Sequence, residues 1–155
     1  MLKPILFNTQ MVRAILEGRK TVTREVIKPR YREGDVLYVR ETWAPWSRTE
    51  GIMPKIHYKA DGENLPGVKW RPSIHMPIEA ARIFLRVTDM RVERLQDITI
   101  DDALHEGADI SQGFKDFARI WDLTIPIKDI EEYGWKANPW VVVISFEKIP
   151  KPENE

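Results

Sequence analysis

The order of hydrophobic patterns predicts an α+β fold: a mostly antiparallel sheet of about five to six strands with three or so helices beside it. Two observations carry this. Period-two alternation recurs along most of the chain, whereas helical periodicity is confined to three segments, residues 8–18, 99–107 and 113–123. The strands are also short and strongly alternating, which suits a sheet that curls into a small barrel.

In "NTQMVRAILEGRK", Asn8 or Thr9 can cap a helix, Val12, Ile15 and Leu16 share a face, and Gly18 suits the left-handed C-terminal position. A strand is expected from Lys20 to Ile27, where Thr21, Val22, Thr23, Val26 and Ile27 are β-branched, and Pro29 closes it. Gly34-Asp35 makes a turn into a strand from Val36 to Arg40, and "KIHYKA" offers a short strand with Ile56 and Tyr58 on one side. Residues 61–79 hold Gly62, Gly67, Pro66, Pro72 and Pro77, so they are expected to be irregular and ordered by Trp70 rather than by backbone ladders.

"ARIFLRVTDMRVERL" alternates Ile83, Leu85 and Val87 against Phe84, Arg86 and Thr88, a long strand with a bend near Asp89. "TIDDALHEG" then reads as a short helix with Thr99 as its cap, Asp101 and Asp102 in the first turn and Gly107 as its stop. Phe114, Phe117, Ala118 and Trp121 stand at i, i+3, i+4 and i+7 of an amphipathic helix. "PWVVVISFEKI" is a final strand apolar enough for burial on both faces.

The length of 155 residues suits one domain, expected over residues 1–149, with 150–155 a disordered tail. Lys and Arg number 24, as do Asp and Glu, so any charged binding face must come from local segregation. Such segregation is visible in Arg19, Lys20, Arg24, Lys28, Arg30 and Arg32, opposed nearby by Glu17 and Glu25. The absence of Cys removes disulfides and thiolate chemistry. His57, His75 and His105 lack metal-ligand spacing, so no metal and no cofactor are expected. With no long apolar run, the expectation is a soluble, cytoplasmic protein with no membrane association, and no protein partner is implied.

Three motifs in order, "ILEGRKTVT" after the first helix, "GDVLYV" opening a strand and "ALHEG" ending a later helix, resemble the ASCH family of the PUA-like superfamily of small β-barrels. The likeness runs from Ile5 to Glu147, and "WRPSIHMP" and "ANPWVVVISFE" resemble a longer, phage-associated branch. The resemblance implies a cleft for a nucleoside or single-stranded RNA. In some compact members a Lys, a Thr and a Glu hydrolyse the acyl amide of N4-acetylcytidine. By motif these are Lys20, Thr23 and Glu106 here. Other members are RNA-binding modules or ribonucleases, so a non-catalytic RNA binder and a metal-dependent ribonuclease stand as alternatives. This chain departs from the compact members by an insert of roughly residues 41–77, bearing Trp43, Trp46 and Trp70.

The chemistry sets conditions on these residues. A threonine hydroxyl needs a base, and a lysine serves only when desolvation or neighbouring cations such as Arg19 and Arg24 lower its pKa. Glu106 would orient the attacking group or return a proton to the leaving amine. In a regular strand Lys20 and Thr23 would point to opposite faces about 10 Å apart, so shared chemistry requires a turn or twist between them. For substrate or RNA binding, Arg19, Arg24, Trp43 and Trp70 are the expected residues: Arg24 with Lys28, Arg30 and Arg32 as a phosphate track, Arg19 through its local charge, and Trp43 and Trp70, with Trp46, as stacking surfaces.

Overall fold

Alternation and capping produce seven strands and four α-helices in the computed structural model, which describes residues 2–27, 30–45, 55–62 and 65–153. Lys28, Pro29 and Trp46, and the last two residues of the expected tail, lie outside the described residues. The order is β1 (Leu2–Leu6), α1 (Thr9–Leu16), β2 (Val22–Val26), β3 (Val36–Arg40), β4 (Trp43–Ala44), β5 (His57–Tyr58), β6 (Phe84–Arg94), α2 (Ile100–His105), α3 (Lys115–Thr124), α4 (Ile130–Tyr133) and β7 (Trp140–Ile149). The sequence patterns do not predict β1, the two-residue β4 or the single-turn α4.

The main sheet runs β1-β3-β6-β7-β2, with β1 parallel to β3 and the remaining pairs antiparallel. β1 and β2 are therefore its two edges, and they do not pair with each other. The sheet stays open at this seam instead of closing into the small barrel expected of it, and the fold is an α+β arrangement with a mostly antiparallel sheet.

β7 is the hinge of the packing. Ile144 and Phe146 enter one core with Ile5, Phe7, Val12, Ile15, Leu37, Val39, Leu85 and Val87. Val141 and Val143, on the opposite face, enter a second core with Val22, Leu95, Ala103, Phe117 and Trp121. A strand buried on both sides is what its apolar run predicts.

β6 bends as expected, through a register shift between Val87 and Asp89. The extra residue exchanges the two faces of the strand beyond it, because side chains alternate with a period of two. As a result Arg91 and Glu93 pair with Val143 and Val141 and lie on the second-core face, the same face as Arg24, which pairs with Val143 from the other side.

The insert builds a small cluster of Trp43, Met76 and Ala80 around the β4-β5 ribbon. Its irregular part is tied by backbone after all: Arg71 N–H donates to the Trp43 carbonyl at 2.7 Å and Trp43 N–H to the Arg71 carbonyl at 3.3 Å. Trp70 is only half-buried, so it is not the main anchor expected of it.

Candidate functional site

The opening cluster of cations folds around two helix ends. Asn8 caps α1, its side chain accepting from Met11 N–H at 2.8 Å, and Gly18 ends the helix at φ +78°. The chain then doubles back, with Arg19 N–H and Lys20 N–H both donating to the Ala14 carbonyl at 2.8 and 3.1 Å. This turn resolves the strand-geometry problem, since Lys20 precedes β2 instead of lying in it. Thr21 N–H donates to the His105 carbonyl at 2.8 Å and so fastens the segment to the end of α2.

α2 starts at Thr99, whose hydroxyl accepts from Asp102 N–H at 3.0 Å, and finishes at Glu106, followed by Gly107 at φ +91°. Gly107 is required twice over. A side chain is strained at that φ, and a Cβ would stand 2.7 Å from the Ala14 Cβ. The close approach of α1 and α2 brings Lys20 against Glu106.

Lys20 Nζ donates to three oxygens: the Val22 carbonyl at 3.0 Å, the Glu106 carbonyl at 3.0 Å and Glu106 Oε2 at 3.1 Å. The side chain is fully buried, with Nζ 5.3 Å from the centre of the Phe7 ring. Burial pushes its pKa down, and the Glu106 charge and hydrogen bond only partly restore it, while Arg24 lowers it further.

Glu106 Oε1 accepts from Arg24 Nη1 at 2.8 Å, so two cations grip one carboxylate. Arg24 Nη2 also donates to Glu93 Oε1 at 2.5 Å and Asp102 Oδ2 at 3.1 Å. Burial lowers the Arg24 pKa, but the Glu106 charge and the bonds to Glu93 and Glu106 outweigh it and hold the guanidinium above its ordinary value. Arg91 adds a longer contact to Asp102, 3.5 Å, closing a network of three cations and three carboxylates.

Beside this network lies a cavity of about 180 Å³ at the open seam of the sheet. Leu6, Phe7 and Met11 wall it from the β1-α1 side, Thr23 to Val26 form its β2 side, and Phe117, Trp121 and Ile125 close it from α3. Thr23 and Glu106 share this wall, and the Thr23 hydroxyl makes no hydrogen bond among the described residues. Lys20 stands behind the wall, reached through Glu106.

The predicted site residues therefore separate into two groups. Lys20, Thr23, Arg24 and Glu106 converge although up to 86 residues apart in sequence. Arg19 is exposed outside the cavity, bonded to Glu17 Oε2 at 2.6 Å with a long contact to the Gly107 carbonyl at 3.5 Å. Trp43 sits in the insert cluster, 6 % exposed, and neither it nor Trp70 lines the cavity. Arg24 is bound to acids rather than offered to solvent. Sequence reading missed Glu93 and the cavity-facing role of Met11. It read Asp102 only as a first-turn acid, although Asp102 and Glu106 stand at i, i+4, two carboxylates on one helical face that call for a shared cation.

Among the described residues no group of three or more His, Asp or Glu is arranged to hold a metal ion. No helix among them is long and apolar enough to cross a membrane.

No protein-family model matches the sequence, and neither does any curated protein. Solved structures do match in fold. An ASCH domain from Lactobacillus crispatus JV V101 superposes with a TM-score of 0.58 at 10% identity, covering 95% of this chain and 79% of its own. A DUF984 protein from Enterococcus faecalis V583 gives 0.53 at 12% identity, covering 96% and 76%. The hypothetical protein PH0355 gives 0.50 at 14% identity, covering 96% and 100%. The chain has an ASCH-like fold.

Proposed function

We propose that the seam cavity is a nucleoside-directed hydrolytic site that cleaves the acyl amide of an N4-acylated cytidine. One observation carries the reading: Thr23 and Glu106 line one small cavity, and the buried Lys20 ammonium bonds both the Glu106 carboxylate and the carbonyl of the residue before Thr23. A structural ion pair alone leaves no reason for an uncommitted hydroxyl at the same wall.

In the proposed chemistry Thr23 Oγ1 attacks the acyl carbon, and its proton passes by way of the Glu106 carboxylate to the neutral form of Lys20, made accessible by the lowered pKa. The tetrahedral intermediate collapses by breaking the bond from carbon to N4, and the proton returns to N4 along the bond between Lys20 and Glu106. Water then cleaves the acyl-threonine ester, restoring the hydroxyl and releasing cytidine and the carboxylic acid.

RNA binding led by phosphate contacts has less support in this region. Arg19, Lys20, Arg24 and Arg30 are each bonded to a carboxylate. The test is turnover of N4-acetylcytidine followed by chromatography. The wild type is expected to release cytidine, and Thr23→Val to lose at least about a hundredfold of that rate with its unfolding midpoint unchanged. A wild type without turnover, or a fully active Thr23→Val, would refute the proposal.

A further inference from the structure

The β2 edge that walls the cavity carries main-chain groups that the described protein leaves unused. In an antiparallel ladder, residues that exchange both hydrogen bonds alternate with residues that exchange none. Phe146 N–H donates to the Thr21 carbonyl at 3.0 Å, so Thr21, Thr23 and Glu25 are the bonded positions. Val22, Arg24 and Val26 therefore turn their N–H and C=O away from β7. The Val22 carbonyl agrees with this direction, since Lys20 Nζ reaches it from outside the sheet.

Arg24 is the next position along. Its N–H and C=O make no hydrogen bond among the described residues. The residue as a whole is 5% exposed while its side chain is 0% exposed. What Arg24 presents to the cavity is thus its main chain, held rigidly because the guanidinium is tied to Glu93, Asp102 and Glu106.

An extended residue projects its N–H and C=O side by side, a donor next to an acceptor. The complement is a planar edge with an N–H beside an acceptor nitrogen or carbonyl, as on the Watson–Crick edge of an unstacked base. The cavity, about 180 Å³, is well below the size that takes a drug-sized molecule and suits one ring better than a length of peptide. Phe7 and Met11 on one side and Phe117 and Trp121 on the other supply apolar walls for its faces.

We infer that the Arg24 main chain is the base-reading element of the cavity. Its N–H donates to ring N3, and its carbonyl accepts from the exocyclic N4–H of a cytosine-type base. The inference rests on the nucleoside reading above for its ligand class, but not on hydrolysis. An N4-monoacylated cytosine keeps one N4–H, so substrate and product offer the same edge. A base dialkylated at N4 offers no donor and leaves the Arg24 carbonyl buried without a partner.

The experiment titrates uniformly ¹⁵N-labelled wild-type protein with cytidine and with N4,N4-dimethylcytidine, following backbone amides by NMR and measuring N4-acetylcytidine turnover on the same preparation. Cytidine is expected to move the Arg24 amide among the most affected resonances, and the dimethyl analogue to bind at least about tenfold more weakly. Equal binding of the two, cytidine binding that leaves the Arg24 amide unmoved, or no cytidine binding at millimolar concentration would overturn the inference. So would an extended peptide that moves Arg24 where cytidine does not. An Arg24 shift without turnover removes the hydrolase reading and keeps this one, and turnover with Arg24 unmoved does the reverse.

Discussion

Glu106→Gln tests the network at its centre. The substitution keeps the shape of the side chain but removes the charge that Lys20 and Arg24 share. Arg24 retains Glu93 and Asp102, so the main loss falls on Lys20, whose side chain is fully buried and left with two carbonyls and a neutral amide. Removing one partner of a buried pair costs about 3 to 5 kcal/mol. The lower end, about 3 kcal/mol, is expected because the amide oxygen still accepts one bond. The pH dependence provides a sharper signature. Lys20 in the folded protein lies below its ordinary value of 10.5. The unfolded chain therefore binds more protons between the two values, and stability rises with pH across that window. In Glu106→Gln the influence that raised the Lys20 pKa most is gone, so the window opens at lower pH. The stability gap between wild type and variant should consequently narrow as pH rises through the interval between their two lowered Lys20 values, both below 10.5. Urea unfolding followed by circular dichroism over a pH series up to that value measures it. A variant within about 0.5 kcal/mol of wild type at pH 7, or a gap that does not change with pH, would refute the buried-pair argument.

Gly107→Ala combines a left-handed backbone with a 2.7 Å contact to the Ala14 Cβ and should lose about 2 to 5 kcal/mol, read from the same denaturation curves. Thr99→Ala removes the hydroxyl that caps α2 and should cost about 1 kcal/mol, with the Asp102 amide exchanging faster with solvent. Burial, helped by the Glu25 charge and opposed by Arg30, pushes the Tyr31 hydroxyl up to about 12, with its proton donated to the Pro4 carbonyl at 2.8 Å. The folded state then holds this proton where the unfolded chain has lost it, so stability should fall as pH rises from about 10 to 12. Absorbance at 295 nm should show a late-ionising tyrosine component that Tyr31→Phe diminishes.

Most of the secondary structure was legible in the sequence because it depends on local rules. Asn8 and Thr99 cap where a side-chain acceptor must meet orphan amides, Gly18 and Gly107 stop helices where φ turns positive, and β7 shows its two buried faces in an unbroken apolar run. β1 escaped because it is five residues long, interrupted by Pro4, and stabilised by parallel pairing with β3 rather than by its own pattern. Of the candidate site, the motif resemblance pointed to Lys20, Thr23 and Glu106, and the local turn at Gly18 is why Lys20 leaves the strand. Only tertiary structure decided that the Arg24 side chain is buried and clamped by three carboxylates. Its carboxylate partners come from a strand 69 residues away, turned to the right face by a bulge, and from a helix up to 82 residues away. Likewise the open seam between β1 and β2, and the main-chain edge it exposes to a cavity, follow from the order in which strands pair. Side-chain identity specifies local conformation. Which backbone groups are left unpaired is a property of the completed sheet, because each one is defined by the neighbour it lacks.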